Sequence, residues 1–394
     1  MPWKEMDAMN QRLEFAMRSL RTENFSALCA EYGISPKTGY KWQRRLLEQG
    51  VGGLGEQSRR PKRSPEALEE SVVCRMVALK VAHMTWGPRK IRALYTRMEG
   101  KAPSESSFKR VLERIGLSTR RRVRRVTPTG QRLHSGQRGK EPNGVWTVDF
   151  KGWWKTGGRR CEPLTVRDEY SRYVLAVQAM ESTCAGPVRE CFERLFERHG
   201  LPGAIRSDNG VPFAQSQALL GLTRLSAWWV ALGIELERGR PGCPQDNGAH
   251  ERMHRDLAWE IEATGAGQDQ AALDVWRTEY NEQRPHEALA MRTPAEVYEP
   301  SPRRFQGTPQ QLLYPGMMAR RIGRQGELKW EGHCIFISTA LAGWDVGIKP
   351  VGDHALEVWF GHLLLGWLDP DTASFQQGAR PPLEAVQPPQ SVKP

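Results

Sequence analysis

Long apolar runs are missing from this sequence: no stretch of 18 apolar residues occurs in its 394. A bilayer-spanning helix needs about 20 such residues, so no membrane partner is expected. The first residues, Met1, Pro2, Trp3, Lys4 and Glu5, hold no apolar signal core, and the expected location is cytoplasmic. Cysteine is sparse and unpatterned. The seven, at 29, 74, 161, 184, 191, 243 and 334, are odd in number and contain no C-x-x-C pair. That argues against a disulfide framework and against a Cys-rich zinc knuckle, leaving reduced thiols as the expectation. Acid is short in one half only. Residues 1–140 carry 30 basic and 13 acidic side chains, a net of +17, within a whole-chain charge of +12. The remainder is therefore mildly acidic, at −5. Such a cationic front half suits a polyanionic partner. What is present is ordinary: 39% hydrophobic and 26% charged residues, with length for two or three domains.

Residues 1–57 read as helices, with Leu13, Met17 and Leu20 at helical spacing. A short helix from Phe25 meets a turn at Gly33, and a second helix starts with Ser35 as N-cap and Pro36 at its first position. Gly39, Trp42 and Leu46 share one face of that helix, while Lys37, Lys41, Arg44 and Arg45 share the other. An apolar-backed, basic-fronted helix after a tight turn is what major-groove insertion by a helix-turn-helix requires. Those four cations and Thr38 are the candidate DNA contacts; a plain helical hairpin with a solvated face is the competing reading. Residues 66–117, beyond a Gly-, Arg- and Pro-rich joint, repeat the arrangement. One helix begins at Pro88, a turn follows at Gly100, and Ser104 caps another carrying apolar Phe108, Leu112 and Ile115 with exposed Lys109 and Arg110. The linker 118–140 holds eight Lys or Arg and no acid, among them Arg120, Arg121, Arg122, Arg124 and Arg125. A self-repelling segment of this kind is expected to lie extended along phosphates.

At Val145 the pattern changes to short β-rich runs. Strands are expected at 145–150, 163–166 and 173–177, consecutive and antiparallel. A helix over 185–199, a strand at 204–207, a helix at 215–232, a strand at 234–238 and a helix from about Gly248 complete the set. Three strands followed by alternating α and β is the order of a ribonuclease-H-like α/β core, a mixed five-stranded sheet flanked by helices, assigned here to 141–300. Residues 310–377 are β-prone and suggest a small barrel; 378–394 hold five prolines and are expected to be disordered. The fold class is thus multidomain, with all-α helix-turn-helix modules, an α/β core and a C-terminal β domain.

Three carboxylates stand at informative places in the core. Asp149 lies inside the first strand among apolar residues, Asp208 follows a short strand and precedes Asn209 and Gly210, and Glu251 begins a helix after a loop. A first-strand acid, a strand-end acid and a helix-start acid can converge at one edge of a mixed sheet. Converging carboxylates repel unless a hard divalent cation neutralises them, and Mg²⁺ prefers such oxygen ligands. The expected chemistry is two-metal phosphoryl transfer, with Mg²⁺ or Mn²⁺ held by Asp149, Asp208 and Glu251.

The segments around Asp149 (145–152), Asp208 (207–213) and Glu251 (239–252) resemble the three acidic motifs of bacterial insertion-sequence transposases with a retroviral-integrase-type core. Downstream, 280–289 and 293–298 match the end of that group's core, and 32–42 is similar to its helix-turn-helix. The resemblance covers roughly 20–300. It implies Asp149, Asp208 and Glu251 as a DDE triad, cleavage at element ends, and strand transfer without a covalent enzyme intermediate. It also implies double-stranded DNA partners, namely terminal inverted repeats and target DNA, and a homo-oligomer that is at least a dimer on DNA, in a bacterial nucleoid-associated setting. One departure is the spacing: 42 residues separate Asp208 from Glu251, against the commoner 35 or so of the group, with the extra length expected between Ala214 and Leu232.

Two alternatives compete. His250, Glu251 and His254 form an H-E-x-x-H pattern, the helix signature of zinc peptidases, with Glu279 as a conceivable third ligand. A DNA-binding regulator with an inactive core is the other. Blander readings apply elsewhere: Asp168 and Glu169 as hairpin acids, Asp246 as a loop or cap residue, and Trp153, Trp154, Trp228 and Trp229 as core or interface rather than base-stacking residues. His254 and Arg255, one turn past Glu251, are candidates to touch a DNA strand or to form a solvated face.

Overall fold

The computed structural model describes residues 8–57, 67–118, 139–156, 159–239, 248–264, 269–351 and 355–378. Arg120, Arg121, Arg122, Arg124, Arg125, Asp246 and the Pro-rich tail lie outside the described residues. The chain divides into two compact units, Met1–Glu69 and Glu70–Pro394.

In the first unit, α1 (Ala8–Ser19), α2 (Phe25–Glu31) and α3 (Pro36–Gln49) close on a core of Phe15, Ala16, Leu28, Cys29, Trp42 and Leu54. The Thr38 N–H donates to Ser35 Oγ at 3.3 Å, so α3 starts on its expected cap. Gly33 turns the chain with φ +65°. Gly39 lets α3 approach α2: a Cβ there would lie 2.6 Å from Cys29 Sγ and 2.9 Å from Phe15. Gly39→Val is therefore expected to cost about 1–3 kcal/mol by overpacking. Hydrogen exchange on the full chain should then show faster exchange in α2 and α3 alone. Unchanged protection there would show that the two helices can separate freely.

The second unit begins with α4 (Glu70–Ala82), α5 (Pro88–Glu99) and α6 (Glu105–Arg114), with Phe108 and Leu112 buried and Lys109 and Arg110 exposed. The main sheet contains β1 (Val145–Phe150), β4 (Leu164–Asp168), β5 (Val174–Gln178), β6 (Ala204–Ser207) and β7 (Glu235–Arg238), in the order β5-β4-β1-β6-β7. A hairpin of β2 (Trp154–Thr156) and β3 (Arg159–Cys161) intervenes. β1 pairs antiparallel with β4 and parallel with β6, as a mixed sheet requires. α7 (Ala185–His199) and α8 (Arg224–Ala231) cover one face through Phe192, Phe196, Trp228 and Trp229. α9 (Gly248–Thr264) and α10 (Gln270–Glu282) cover the other through Met253, Leu257, Leu273 and Trp276.

Charged groups fasten α4–α6 to this second layer. Thr85 Oγ1 donates to Glu260 at 2.6 Å, His83 Nδ1 stands 2.8 Å from Glu279 Oε1, and Arg97 donates to Glu296 at 2.8 Å. Buried Arg284 pairs with Asp256 at 2.7 Å and with Glu260. Buried Arg284, left without Asp256 and Glu260, would be a desolvated charge, and Glu260 ties that pairing to Thr85.

One sequence expectation changes. The helix expected over 215–232 shrinks to α8. Gly221, with φ +67°, ends a single 3₁₀ turn at Leu219–Gly221, and Thr223 and Ser226 restart the chain with reciprocal capping bonds. The long segment is used for packing: Leu219, Leu222, Ala227, Val230 and Ala231 enter the core under the C-terminal strands. The C-terminal strands fall into two sheets among the described residues. β8 (Met318–Arg321), β11 (Asp345–Pro350), β12 (Leu356–Phe360), β13 (Leu363–Asp369) and β14 (Ser374–Gln377) form an open antiparallel sheet, β14-β13-β12-β11-β8. β9 (Glu327–Trp330) and β10 (His333–Phe336) pair with each other, and an isolated antiparallel bridge joins Leu328 of β9 to Ile322, just past β8. The apolar side of the sheet is covered by 219–231 from the core and by Leu328, Trp330 and Ile335 of β9 and β10.

Candidate active site

β1 runs through the middle of the main sheet, and its fifth residue is Asp149. The parallel register places Thr147 opposite Arg206; continued by two residues, it sets Asp149 beside Asp208. Adjacent strands are about 4.8 Å apart, so the two acids leave the sheet as neighbours. Asp208 Oδ1 accepts from the Gly210 N–H at 3.2 Å, holding the turn in which it sits. The Arg238 side chain, on the next strand, donates to Ser207 Oγ at 2.8 Å and lies within electrostatic reach of Asp208. Glu251 comes from the first turn of α9 and is exposed.

The Asp149 carboxyl is pushed up to about 7, first by burial and next by the negative charge of Asp208, with Glu251 adding to it. Asp149 thus feels the charge of both other acids.

α9 is secured beneath Asp149 by a buried polar knot. Thr165, the partner of Asp149 across the β1–β4 ladder, donates its hydroxyl to the Asp149 carbonyl at 2.9 Å. His250 Nε2 and His254 Nε2 lie 2.6 and 2.7 Å from the same oxygen. Its single hydrogen being given to the carbonyl, both imidazoles donate Nε2–H to it. His250 Nδ1 lies 2.8 Å from Thr147 Oγ1, whose hydroxyl also reaches the Arg167 carbonyl at 3.3 Å. His254 Nδ1 faces Asp149 Oδ2 at 3.9 Å. Burial drives both rings toward the neutral form: His254 is lowered to about 3, and His250 far below its ordinary value.

This knot corrects the zinc-peptidase alternative. The Nε2 atoms of His250 and His254 are turned to Thr165, and the conceivable third ligand, Glu279 on α10, is engaged by His83 in the turn after α4. It also corrects His254 as a DNA contact, since that ring is buried. Arg255, by contrast, is exposed in a cleft beside Glu251, lined further by Lys151, His254, Ala258 and Trp259. Thr165, Lys151 and Trp259 escaped the sequence reading. Only the eight-residue step from Glu251 to Trp259 along one helix could have signalled the last.

The other candidates fall as follows. On α3, Lys37 and Arg44 are exposed, while Thr38, Lys41 and Arg45 are half-buried. Lys41 and Arg45 lie over the Trp42 ring, at 4.4 and 5.1 Å. A groove on this helix is lined by Lys37, Thr38, Tyr40, Lys41, Gln43, Arg44 and Leu47. Asp168 is a turn acid: it accepts from the N–H groups of Asn143 and Ser171 and from Ser171 Oγ. Trp228 and Trp229 are core residues, and Trp153 is exposed beneath Arg160, 5.3 Å from its ring. No described helix is long and apolar enough to cross a membrane.

Counting its own strands in chain order, the sheet runs 3-2-1-4-5, with an acid on its first strand and another after its fourth. That is the ribonuclease-H-like core of polynucleotidyl transferases. Family profiles agree: an integrase core domain matches 139–244 and 232–294, a helix-turn-helix domain 11–62 and a homeodomain-like domain 38–112. An uncharacterized protein of insertion element IS407 from Burkholderia multivorans is 30% identical over 236 residues, covering 59% of this chain and 82% of that protein. Its counterpart from insertion element IS476 of Xanthomonas euvesicatoria is 26% identical over 279 residues, covering 67% and 77%. The catalytic core domain of BIV integrase is 28% identical, covering 39% of this chain and 92% of that one, with a TM-score of 0.32. The chain belongs to the bacterial insertion-element transposases with an integrase-type core. Its function is that of a transposase acting in DNA recombination.

Proposed function

We propose that this transposase grips the terminal inverted repeats of its element and cuts and joins DNA strands with Asp149, Asp208 and Glu251. The observation that carries the reading is the Asp149 carboxyl, raised to about 7 by burial and by the charges of Asp208 and Glu251, with β1 and β6 in parallel register up to Thr147 and Arg206, two residues short of Asp149 and Asp208. Among the described residues no three His, Cys, Asp or Glu side chains are drawn together at metal-binding distance. The donor set nonetheless fits a hard divalent ion: it is all carboxylate, Asp208 and Glu251 are open to solvent, and Asp149 is short of countercharge. The reading is of two Mg²⁺ or Mn²⁺ ions, which when bound supply Lewis acidity at the attacking and leaving oxygens. Within the chain, Asp149 and Asp208 set the position of the phosphate from the sheet and Glu251 from α9. Lys151 and Arg255 meet the charge of the strand.

The proposed division of labour gives DNA gripping to 1–57, 66–117 and the basic linker 118–140, and chemistry to 141–300. Lys37, Thr38, Lys41, Arg44, Arg45, Lys109 and Arg110 are assigned to DNA contact, with 310–377 as a C-terminal β domain and 378–394 as a tail. Joining two ends requires at least a dimer on DNA. The test uses linear duplexes carrying the inverted repeats that flank the gene, with Mg²⁺. Specific nicking at the 3′ end of the element is expected. Binding without nicking would move the chain to an inactive regulator, and neither binding nor nicking would remove the reading altogether.

A further inference from the structure

We propose that Trp259 is a stacking shelf for an unpaired nucleobase within about three nucleotides of the scissile phosphate, an inference that rests on the transposase reading above. Glu251, Arg255, Ala258 and Trp259 succeed one another along one face of α9, at steps of four, three and one. The opposite face, with Met253, Leu257 and Ile261, is buried in the core. Trp259 is 56% exposed, in contrast to the fully buried Trp146, Trp228 and Trp229. Its ring has no aromatic or cationic partner among the described residues, whereas exposed Trp153 is covered by Arg160. An indole left open on the wall of a cleft is a flat apolar face waiting for another flat face.

The charges around it choose the occupant. Lys151, Arg255 and Glu251 line the same cleft as Trp259. Cations beside an aromatic ring form the combination that holds single-stranded nucleic acid, the cations tracking phosphates and the ring taking a base. The rise of an α-helix puts Trp259 about 12 Å along the axis from Glu251. At 3.4 Å or more per nucleotide, that is about three nucleotides or fewer of strand. A base inside a duplex has both faces covered by its neighbours, so the shelf can take only a base that has left the stack. Trp259 would then help draw the strand end out of the duplex.

The experiment compares two linear duplexes carrying the flanking inverted repeats, with Mg²⁺: one fully paired, one with the last three nucleotides mismatched. Being exposed, Trp259 can be replaced without emptying the core, and circular dichroism melting checks this. Trp259→Ala is expected to nick the paired end about tenfold more slowly or worse, the scale of one lost base stack. Trp259→Phe, which keeps a flat ring, should stay within about threefold of wild type, and the mismatched end should restore Trp259→Ala to a similar range. Equal rates for wild type and Trp259→Ala on the paired end would overturn the proposal. A loss that the mismatched end does not restore would overturn it as well, assigning Trp259 to contacts between chains. If the wild-type protein nicks neither duplex, the transposase reading fails first and takes this inference with it.

Discussion

Asp149→Asn should abolish end nicking, by about a thousandfold or more, while raising the melting temperature of the metal-free protein at pH 8. The first effect follows from removing the central carboxylate of the proposed phosphoryl-transfer site, a loss of several kcal/mol of charge stabilisation. The second follows from repulsion. The folded carboxyl titrates at about 7, above its ordinary 3.8, because burial and then Asp208 oppose its ionisation. A carboxyl raised by folding contributes stability that is fully present below the unfolded pKa, and this is lost as pH climbs through about 7. Wild-type protein at pH 8 therefore carries a strain on the order of 2–4 kcal/mol that neutral asparagine lacks. Melting curves without metal should show the variant several degrees more stable at pH 8, and the two proteins should coincide near pH 4. A variant no more stable than wild type at pH 8 would mean that the acids do not converge as described.

Thr165→Val should be nearly as damaging, although Thr165 touches no substrate. Its hydroxyl is the common partner of the Asp149 carbonyl, His250 and His254. Valine fills similar space but leaves two buried imidazole N–H donors and a carbonyl unpaired, at a cost of about 2–4 kcal/mol. Because Glu251 follows His250 directly, loosening α9 moves a proposed ligand away from Asp149. Nicking is expected to fall more than about tenfold, since a misplacement near 1 Å can cost a hundredfold. Thr165→Ser, which keeps the hydroxyl, should restore most of both stability and nicking. If valine and threonine behave alike in melting and nicking, the knot does not hold the helix.

Much of the catalytic core was legible in the sequence because its signals are local. The alternating run around Asp149 is β1 over its expected residues, and the expected helix from Gly248 is α9. The 185–199 helix is likewise where its periodicity places it. Errors arose where local pattern and packing diverge. The apolar stretch 215–232 reads as one helix, yet its residues are divided between two cores, so the chain breaks at Gly221 to serve both. The C-terminal run gave a correct sense of β structure, while which edges meet depends on packing and not on strand composition.

The H-E-x-x-H pattern shows the same division more sharply. Sequence alone determined that His250 and His254 share one helix face, that three acids follow strand, strand end and helix start, and that the cations gather in the front half. Only the tertiary structure decided that the two imidazoles turn inward to a threonine 85 and 89 residues away. Only it decided that Asp208 emerges beside Asp149, and that Trp259 stays in the open. The reason is physical. A helix or strand writes its own period into the chain, because each turn or pleat must bury one face. The partner buried against that face is chosen by packing across long separations, and no local period records it.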